Sequence, residues 1–223
     1  MEKLPKINII YEDNHLLVVE KPINIPVCED ITNDIDLLTI LKNYLKEKYN
    51  KPGNVYLGLV HRLDRPVGGV MVFAKTSKAA SRLSNQVREN KLKKTYYAVV
   101  ENKIDKKGTL KDYLIKDNKT NISKTTTKEK GKLSILDYEL IKTVGNLNLV
   151  KINLQTGRSH QIRVQFSSRN NPLYGDQKYN KNVKPNTQIA LFAKELSFYH
   201  PTTNELLTFE INLPKRYPFT LFK

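Results

Sequence analysis

The stretch LVHRLDRPVGGVMVFAKT, residues 59–76, places a dense group of charges between two short apolar segments. A histidine, two arginines and an aspartate precede or surround a proline and a pair of glycines. Proline fixes φ and glycine tolerates conformations that other residues avoid, so this combination is typical of a turn. The VMVFAKT segment that follows has the continuous apolar character of a short buried strand. We therefore predict a charged turn beside a strand of the core.

Within this turn, the alternation of side chains in VHRLD indicates which charges share a side. If the segment is extended, Arg62 and Asp64 point to the same side and can face a common cleft. An aspartate before a proline and glycine turn is more often a turn-forming residue than a catalytic one. Both interpretations of Asp64, structural and catalytic, stay open on this pattern alone.

Outward from the turn, helix-like and strand-like segments are mixed. Apolar residues recur at helical spacing in residues 35–50, with Asp34 or Asp36 as the N-cap, and Ser77 can cap a second helix that reaches about Asn90. Predicted strands are INIIYED, HLLVVEKP, VMVFAKT and residues 94–100, 109–116, 133–142, 146–155, 160–167, 188–197 and 205–211. The expected class is α+β, with a large mixed, mainly antiparallel sheet flanked by helices in a single domain over residues 1–223.

The charge of the chain points to a polyanionic partner. Thirty-eight lysines and arginines against 22 aspartates and glutamates give a formal net charge of +16. Nucleic acid is favoured over an anionic membrane, because the sequence has no basic amphipathic helix and no lipidation signal. We expect no membrane partner, no obligate protein partner and a monomer.

Cysteine and histidine usage exclude two common kinds of structural stabilisation. A single cysteine, Cys28, cannot form a disulfide within the chain, and the four histidines are too scattered for a zinc site. The longest apolar runs are about five residues, far short of the roughly 18 that span a bilayer. We expect a cytoplasmic protein without a structural metal.

One segment stands out by composition. Residues 103–132 contain ten lysines, four acidic residues and few large apolar residues, which favours an exposed hairpin and loop. Two interpretations stay open for its lysines: a solvated surface, or direct contact with RNA phosphates.

The arginines are more selectively placed than the lysines. Only eight of the 38 basic residues are arginines, and five of those lie either in HRLDR or in LQTGRSHQIRVQFSSR, residues 154–169. Alternation in the second stretch predicts a strand with Ile162 on its apolar face and Arg163 on the opposite face, in the middle of the strand.

Several blocks of the chain together resemble the RluA-type RNA pseudouridine synthases. They are INIIYEDNHLLVVEKP, HRLDRPVGGVMVFAKTSKAA, KTYYAVVEN, LQTGRSHQIRVQFSSRNNPLYGDQKY and LFAKELSFYHPTTNELLTFEINLP, in the same order as in the family. The resemblance covers about residues 7–214 and implies one catalytic domain with a central RNA-binding cleft. It leads us to expect no N-terminal accessory RNA-binding domain.

The resemblance also implies roles for individual residues. Asp64 matches the catalytic carboxylate, and Arg163 matches its arginine partner. Tyr96 matches the aromatic residue that stacks on the target uracil, and Ile162 matches an apolar position of the uracil pocket, although core packing would explain both. Arg62 matches the residue that fills the space left by a flipped base. His61 and His160 are interpreted as structural hydrogen-bonding residues.

The reaction that the family catalyses explains why a carboxylate is needed. Pseudouridine formation breaks the bond between uracil N1 and the ribose and rejoins the base through C5, so no cofactor is required. The carboxylate acts as a nucleophile or as a general base, and the sequence leaves both open. The implied substrate is structured RNA, ribosomal or transfer RNA.

Two other classes of function were weighed. A noncatalytic basic RNA-binding protein would explain the charge and the aromatic residues, but not an aspartate between two arginines at a turn. A nuclease or glycosidase needs metal ligands or paired carboxylates, and no second acid accompanies Asp64 in these motifs.

Overall fold

A computed structural model describes residues 5–30 and 32–223 of the chain. Three α-helices and a sheet of eleven strands occupy this described part, which confirms the α+β class. The strands are β1 (Asn8–Glu12), β2 (Leu16–Lys21), β3 (Gly58–Leu59), β4 (Gly68–Ala74), β5 (Lys93–Glu101), β6 (Lys107–Asp117), β7 (Ile122–Thr126), β8 (Lys132–Val144), β9 (Leu147–Leu154), β10 (Leu191–Tyr199) and β11 (Leu206–Glu210). The helices are α1 (Leu37–Lys48), α2 (Ser77–Arg88) and α3 (Gln161–Ser167), followed by a short 3-10 helix at Phe219–Phe222.

The first of two compact units comprises the residues up to 92 together with Glu195–Ile211. Its strands follow the order β1-β2-β4-β10, with β3 on β4 and β11 on β10. Strands β2 and β4 pair antiparallel, and every residue of β4 is buried. Their apolar side chains pack with α2 and with the end of β10 in one core, formed by Leu16, Val18, Val70, Val72, Ala74, Ala79, Leu83, Leu92, Leu196 and Phe198.

The second unit comprises residues 93–194 and 212–223. Its strands follow the order β10-β5-β9-β8-β6-β7, and β5 pairs antiparallel with β9 along its length. Strand β10 begins in this unit and ends in the first one. The prediction of a single domain over residues 1–223 stays a prediction.

The N-caps observed for α1 and α2 can be compared with the predicted ones. Asp36 caps α1, because its carboxylate accepts a hydrogen bond from the Thr39 amide at 3.0 Å. The prediction for α2 was wrong by one residue: Thr76 is the N-cap, and its hydroxyl accepts from the Ala79 amide at 3.2 Å. Thr76 has an extended backbone that lets its side chain turn back over the first turn, whereas Ser77 is already helical.

The predicted strand over residues 160–167 is instead the helix α3. All residues from Gln161 to Phe166 are buried, so alternation of polar and apolar residues does not mark an exposed and a buried face here. His160 adopts a left-handed conformation, with φ of 53°, which ends the extended run and starts the helix. Arg163 therefore lies on a buried helix, and its predicted place in the middle of a strand was wrong.

The lysine-rich segment forms the predicted exposed hairpin. Strands β6 and β7 pair antiparallel between Tyr113 and Thr126 and between Asp117 and Ile122, and β6 continues the sheet against β8. The lysines of residues 103–132 are exposed to solvent. Across the part of the chain that the structure covers, no helix is both long and apolar enough to cross a membrane.

The position of the α2 cap can be tested by removing each hydroxyl in turn. Thr76→Ala should lower the free energy of unfolding by about 1 kcal/mol, because the Ala79 amide loses its acceptor. Ser77→Ala is the matched control and should stay within about 0.5 kcal/mol of the wild type. Urea unfolding of both variants measures the difference, and a larger loss for Ser77→Ala would contradict the assigned cap.

Candidate active site

Asp64 lies in the turn that connects β3 to β4, as the charge pattern predicts. The Val67 amide donates to the Asp64 carbonyl oxygen at 2.9 Å and closes the turn. Leu63 and Val67 are buried at 7% and 2% exposure and anchor the turn to the core, while Asp64 itself is half-buried. Gly69 has φ of 136°, a conformation that L side chains rarely adopt, so a glycine is needed where the chain enters β4. The fold thus presents the carboxylate on a fixed backbone.

The other residues of the HRLDR motif have distinct environments. His61 is buried and its Nε2 accepts from the Val72 amide at 3.2 Å, which confirms a structural hydrogen bond. Arg62 is exposed, and its implied role stays a prediction. Arg65 forms ion pairs with Asp34 and, at 3.8 Å, with Asp30. The motif therefore ties the turn to the segment before α1 and leaves one arginine available on the surface.

Lys21 is a residue beside the Asp64 turn that the sequence reasoning missed. It is fully buried at the end of β2, directly opposite Gly69 of β4. Its Nζ donates to three backbone carbonyl oxygens: those of Pro22 at 2.9 Å, Arg65 at 3.0 Å and Val67 at 2.8 Å. An ammonium has three N–H donors, so all three are used, and two of them hold the backbone that follows Asp64. The signal available in the sequence was a lysine at the end of an otherwise apolar strand.

The charge of Lys21 also acts on Asp64. Burial lowers the pKa of Lys21 to about 7, while the Asp64 carboxylate raises it and Arg65 lowers it. This interaction shows that the Lys21 ammonium lies within electrostatic reach of the Asp64 side chain. Lys21 is thus both a mechanical support and an electrostatic neighbour of the turn.

In the second unit, Tyr96 and Ile162 occupy buried positions. Tyr96 lies in β5, is 6% exposed and pairs with Ile152 of β9. Ile162 lies at the start of α3 and is 4% exposed. Their burial fits core packing and also fits the walls of a base pocket, so the roles implied by the resemblance stay predictions.

Arg163 is oriented by a buried acid. Its Nε and Nη2 donate to the Asp176 carboxylate at 2.8 and 2.6 Å, and the two side chains are 5% and 0% exposed. Asp176 also accepts from the amides of Lys178 and Tyr179 at 3.0 and 3.3 Å. The guanidinium lies 5.1 Å from the centre of the Tyr179 ring. A two-point ion pair of this kind fixes both the position and the plane of the guanidinium.

Asp176 is the second residue that sequence reasoning missed. It lies in the block NPLYGDQKY, which contributed to the resemblance without a role for its aspartate. A buried arginine needs a counter-charge, and that need could have directed attention to the nearest acid in the same block. The tyrosine next to it in space, Tyr179, also bonds His160 Nδ1 through its hydroxyl at 2.8 Å, which confirms the structural interpretation of His160.

The described residues form two groups of site residues. Lys21, Arg62 and Asp64 lie in the first unit, and the second unit holds Tyr96, Ile162, Arg163 and Asp176. The partnership of Asp64 with Arg163 stays a prediction. Within the residues described, no group of three or more histidine, cysteine, aspartate or glutamate side chains could hold a metal ion.

A family model described as RNA pseudouridylate synthase matches residues 15–168. The match covers more than half of the chain and includes Lys21, the Asp64 turn, Tyr96 and Arg163. The chain belongs to the RNA pseudouridylate synthase family. The RluA-type resemblance of its sequence motifs is thereby confirmed.

Individual relatives span nearly the whole chain. A protein of Aquifex aeolicus named an uncharacterized RNA pseudouridine synthase is 34% identical over 229 residues, which cover 97% of this chain and 72% of the relative. The ribosomal large subunit pseudouridine synthase D of Zymomonas mobilis is 30% identical, with 94% of this chain and 70% of the relative covered. The solved structure of human RNA pseudouridylate synthase domain containing 4 superposes with a TM-score of 0.80 at 21% identity, over 96% of this chain and 92% of the human one. At that identity the likeness confirms the fold.

The titration of Lys21 should appear in the pH dependence of stability. Its pKa is about 7 in the folded chain and about 10.4 in an unfolded one. Between these values the unfolded chain binds a proton that the folded chain has released, so the free energy of unfolding should rise with pH from about 7 upward. Lys21→Met lacks this titration and serves as the control. Parallel stability curves for the two proteins between pH 7 and 9 would contradict the prediction.

Loss of the acid from the buried Arg163–Asp176 pair should strongly lower the free energy of unfolding. Asp176→Asn keeps an acceptor for the backbone amides but leaves Arg163 buried without a counter-charge, which should cost about 3 to 5 kcal/mol. Asp112→Asn is the matched control, because Asp112 pairs with the more exposed Arg169 at 2.9 Å. That variant should lose about 1 kcal/mol or less. Chemical unfolding measures the free energy of unfolding of both variants. Equal losses would show that the buried Arg163–Asp176 pair stabilises the fold no more than the more exposed Arg169–Asp112 pair does.

Proposed function

We propose that this enzyme isomerises a specific uridine of structured RNA to pseudouridine, with Asp64 as its catalytic carboxylate. The family establishes the reaction class: an isomerase that acts on RNA. The proposal adds the residues that carry the reaction and the class of RNA. The observation that carries it is the turn at Asp64, whose backbone is held by two hydrogen bonds from Lys21 to the Arg65 and Val67 carbonyl oxygens.

The reaction conserves every atom of the substrate. The bond from ribose C1′ to uracil N1 breaks, the base turns, and a bond from C1′ to C5 forms. The proton on C5 is then lost and N1 ends with a proton, so neither an oxidant nor a cofactor takes part. Asp64 either attacks the substrate or removes a proton from the sugar, and both roles require an ionised carboxylate.

The remaining site residues receive roles that follow from their surroundings. Arg163 would hold the Asp64 carboxylate, because Asp176 and the Tyr179 ring keep its guanidinium in one orientation. Tyr96 would stack on the uracil, and Ile162 would pack against it. Arg62, the exposed residue of the motif, would enter the RNA when the base is extruded. Extrusion costs a few kcal/mol, which contacts of this kind must offset.

Charge and similarity together favour ribosomal RNA as the substrate, with transfer RNA as the second class. A net charge of +16 suits a large structured polyanion. Several relatives at 30% identity or more are named as ribosomal large subunit pseudouridine synthase D, among them those of Zymomonas mobilis and Buchnera aphidicola. The proposal further holds that the enzyme is a cytoplasmic monomer that needs no cofactor, no membrane and no obligate protein partner.

The proposal is tested most directly at Asp64. Asp64→Asn keeps the size of the side chain and can still form the turn, so it should fold and bind RNA but form no detectable pseudouridine. Asp64→Glu should retain little activity, because a displacement of about 1 Å can cost roughly a hundredfold in rate. Release of tritium from C5 of labelled uridine in ribosomal and transfer RNA measures turnover.

The control is Asp105→Asn, which removes one exposed carboxylate outside the turn and should leave turnover at the wild-type level. Substantial tritium release by purified, folded Asp64→Asn would refute the assigned role. If Asp64→Asn fails to fold, loss of activity in a folded Asp64→Glu decides the question.

A further inference from the structure

The first unit contains a polar cleft beside helix α2, formed by residues other than those of the Asp64 turn. Its volume is about 740 Å³, and its walls are the exposed face of α2 and the turn that follows β10. None of the residues that form the predicted site lines it. Two arginines of α2, Arg82 and Arg88, line it, and the catalytic proposal gives them no role.

The cleft carries an excess of positive charge. Arg82, Arg88 and Lys91 line it, against a single acid, Glu89, which pairs with Lys91 at 2.7 Å. Arg82 donates to the Pro201 carbonyl oxygen, and Arg88 donates to the Asn85 side chain at 3.1 Å. Within the described ranges, 5–30 and 32–223, neither guanidinium forms an ion pair with a carboxylate. Arg88 acts electrostatically on Glu89, and each guanidinium keeps N–H donors that an anionic ligand can use.

The cleft is built on rigid supports. The Gln86 side chain donates to the Tyr199 carbonyl at 2.7 Å and accepts from the Tyr199 amide at 2.8 Å, so α2 is fastened to the end of β10. His200 is 6% exposed, accepts from the Thr203 amide at 3.0 Å and bonds Asp13 at 2.9 Å through its other ring nitrogen. The walls are thus fixed before any ligand binds, which lowers the entropy lost on binding.

Its chemistry matches a nucleic-acid backbone better than a small anion. Arginine forks bind phosphate oxygens in pairs, and the two arginines here lie six residues apart on one helix. The Tyr199 ring on the cleft wall is 38% exposed and offers a surface on which a base or ribose can pack. Amides from Asn85 and Asn204 complete a lining that can contact phosphate and sugar.

The cleft lies away from the catalytic turn. Its rim at His200 bonds Asp13, and the neighbouring His15 carbonyl accepts from the Lys75 amide just beyond the end of β4. The Asp64 turn precedes Gly68, at the opposite end of that strand. Seven residues of strand span about 20 Å, so one nucleotide cannot occupy both places.

We propose that the α2 cleft binds backbone phosphates of the RNA substrate outside the segment that carries the reacting uridine. The inference rests on the proposed function and deepens it. A large folded RNA would engage both places at once, whereas a short hairpin around the uridine would engage only the catalytic turn. The cleft would therefore favour large folded substrates through binding, not through the chemical step.

The test compares two substrates with one double variant, Arg82→Gln with Arg88→Gln. The substrates are the full-length ribosomal or transfer RNA transcript that the enzyme modifies in vitro and a short hairpin cut from it around the modified uridine. For the full transcript, KM should rise about tenfold at about 0.1 M salt, and the slope of log affinity against log salt should fall by about 1.4 to 1.8. The kcat on both RNAs and the KM for the hairpin should stay unchanged.

The matched control is Lys6→Gln with Lys46→Gln, which removes two exposed cations of the same unit outside the cleft. It should change KM for the full transcript far less than the arginine variant does. Equal effects of the two double variants would overturn the inference, and so would an equal loss on the hairpin. Thermal unfolding verifies that the variants fold. If the wild type forms no pseudouridine on any transcript, the proposed function fails, and the salt slopes of RNA binding still decide whether the cleft contacts phosphates.

Discussion

The ammonium of Lys21 is the constraint on which the Asp64 turn depends. A fully buried lysine is costly unless its donors are satisfied, and here three carbonyl oxygens satisfy them. Two of those carbonyls belong to Arg65 and Val67, one and three residues after Asp64. The same contacts that make the buried charge tolerable therefore fix the backbone beside the carboxylate. In this unit the contacts that stabilise the buried lysine also set the backbone geometry of the Asp64 turn.

The second unit also compensates the charge of a buried cation, with a carboxylate in place of carbonyl oxygens. Arg163 is as deeply buried as a core residue, and Asp176 compensates its charge with two hydrogen bonds. Asp176 is in turn held by two backbone amides, so the orientation of the arginine is set by the loop after α3. In both units a buried cation is positioned by neighbours that have no direct part in the proposed chemistry, which is typical of preorganised sites.

The sequence predicted much of the fold, and its failures have physical causes. Strand β4 follows from its continuous apolar run, which is typical of a fully buried strand. Helix α1 with its Asp36 cap and the exposed β6–β7 hairpin follow from the local pattern of polar and apolar residues. Helix α3 was missed because Gln161, Arg163 and Gln165 are buried with polar partners, so polarity does not report exposure there. Lys21 and Asp176 were missed because their importance comes from contacts distant in sequence. The turn at Asp64 was found because charge, proline and glycine coincide within a few residues.

The outermost strands of the two units have a consequence for how the protein behaves at high concentration. An uncovered strand offers free amides and carbonyls to a strand of another molecule, which is a common start of aggregation. Strand β1, last in its unit, has an irregular register between Ile9 and Tyr11, and such a bulge interrupts pairing with a neighbour. Strand β7, last in the other unit, is five residues long and carries Lys124 among the lysines of its hairpin. Its short length and its lysines give β7 the features of an edge strand that is protected against pairing with another molecule.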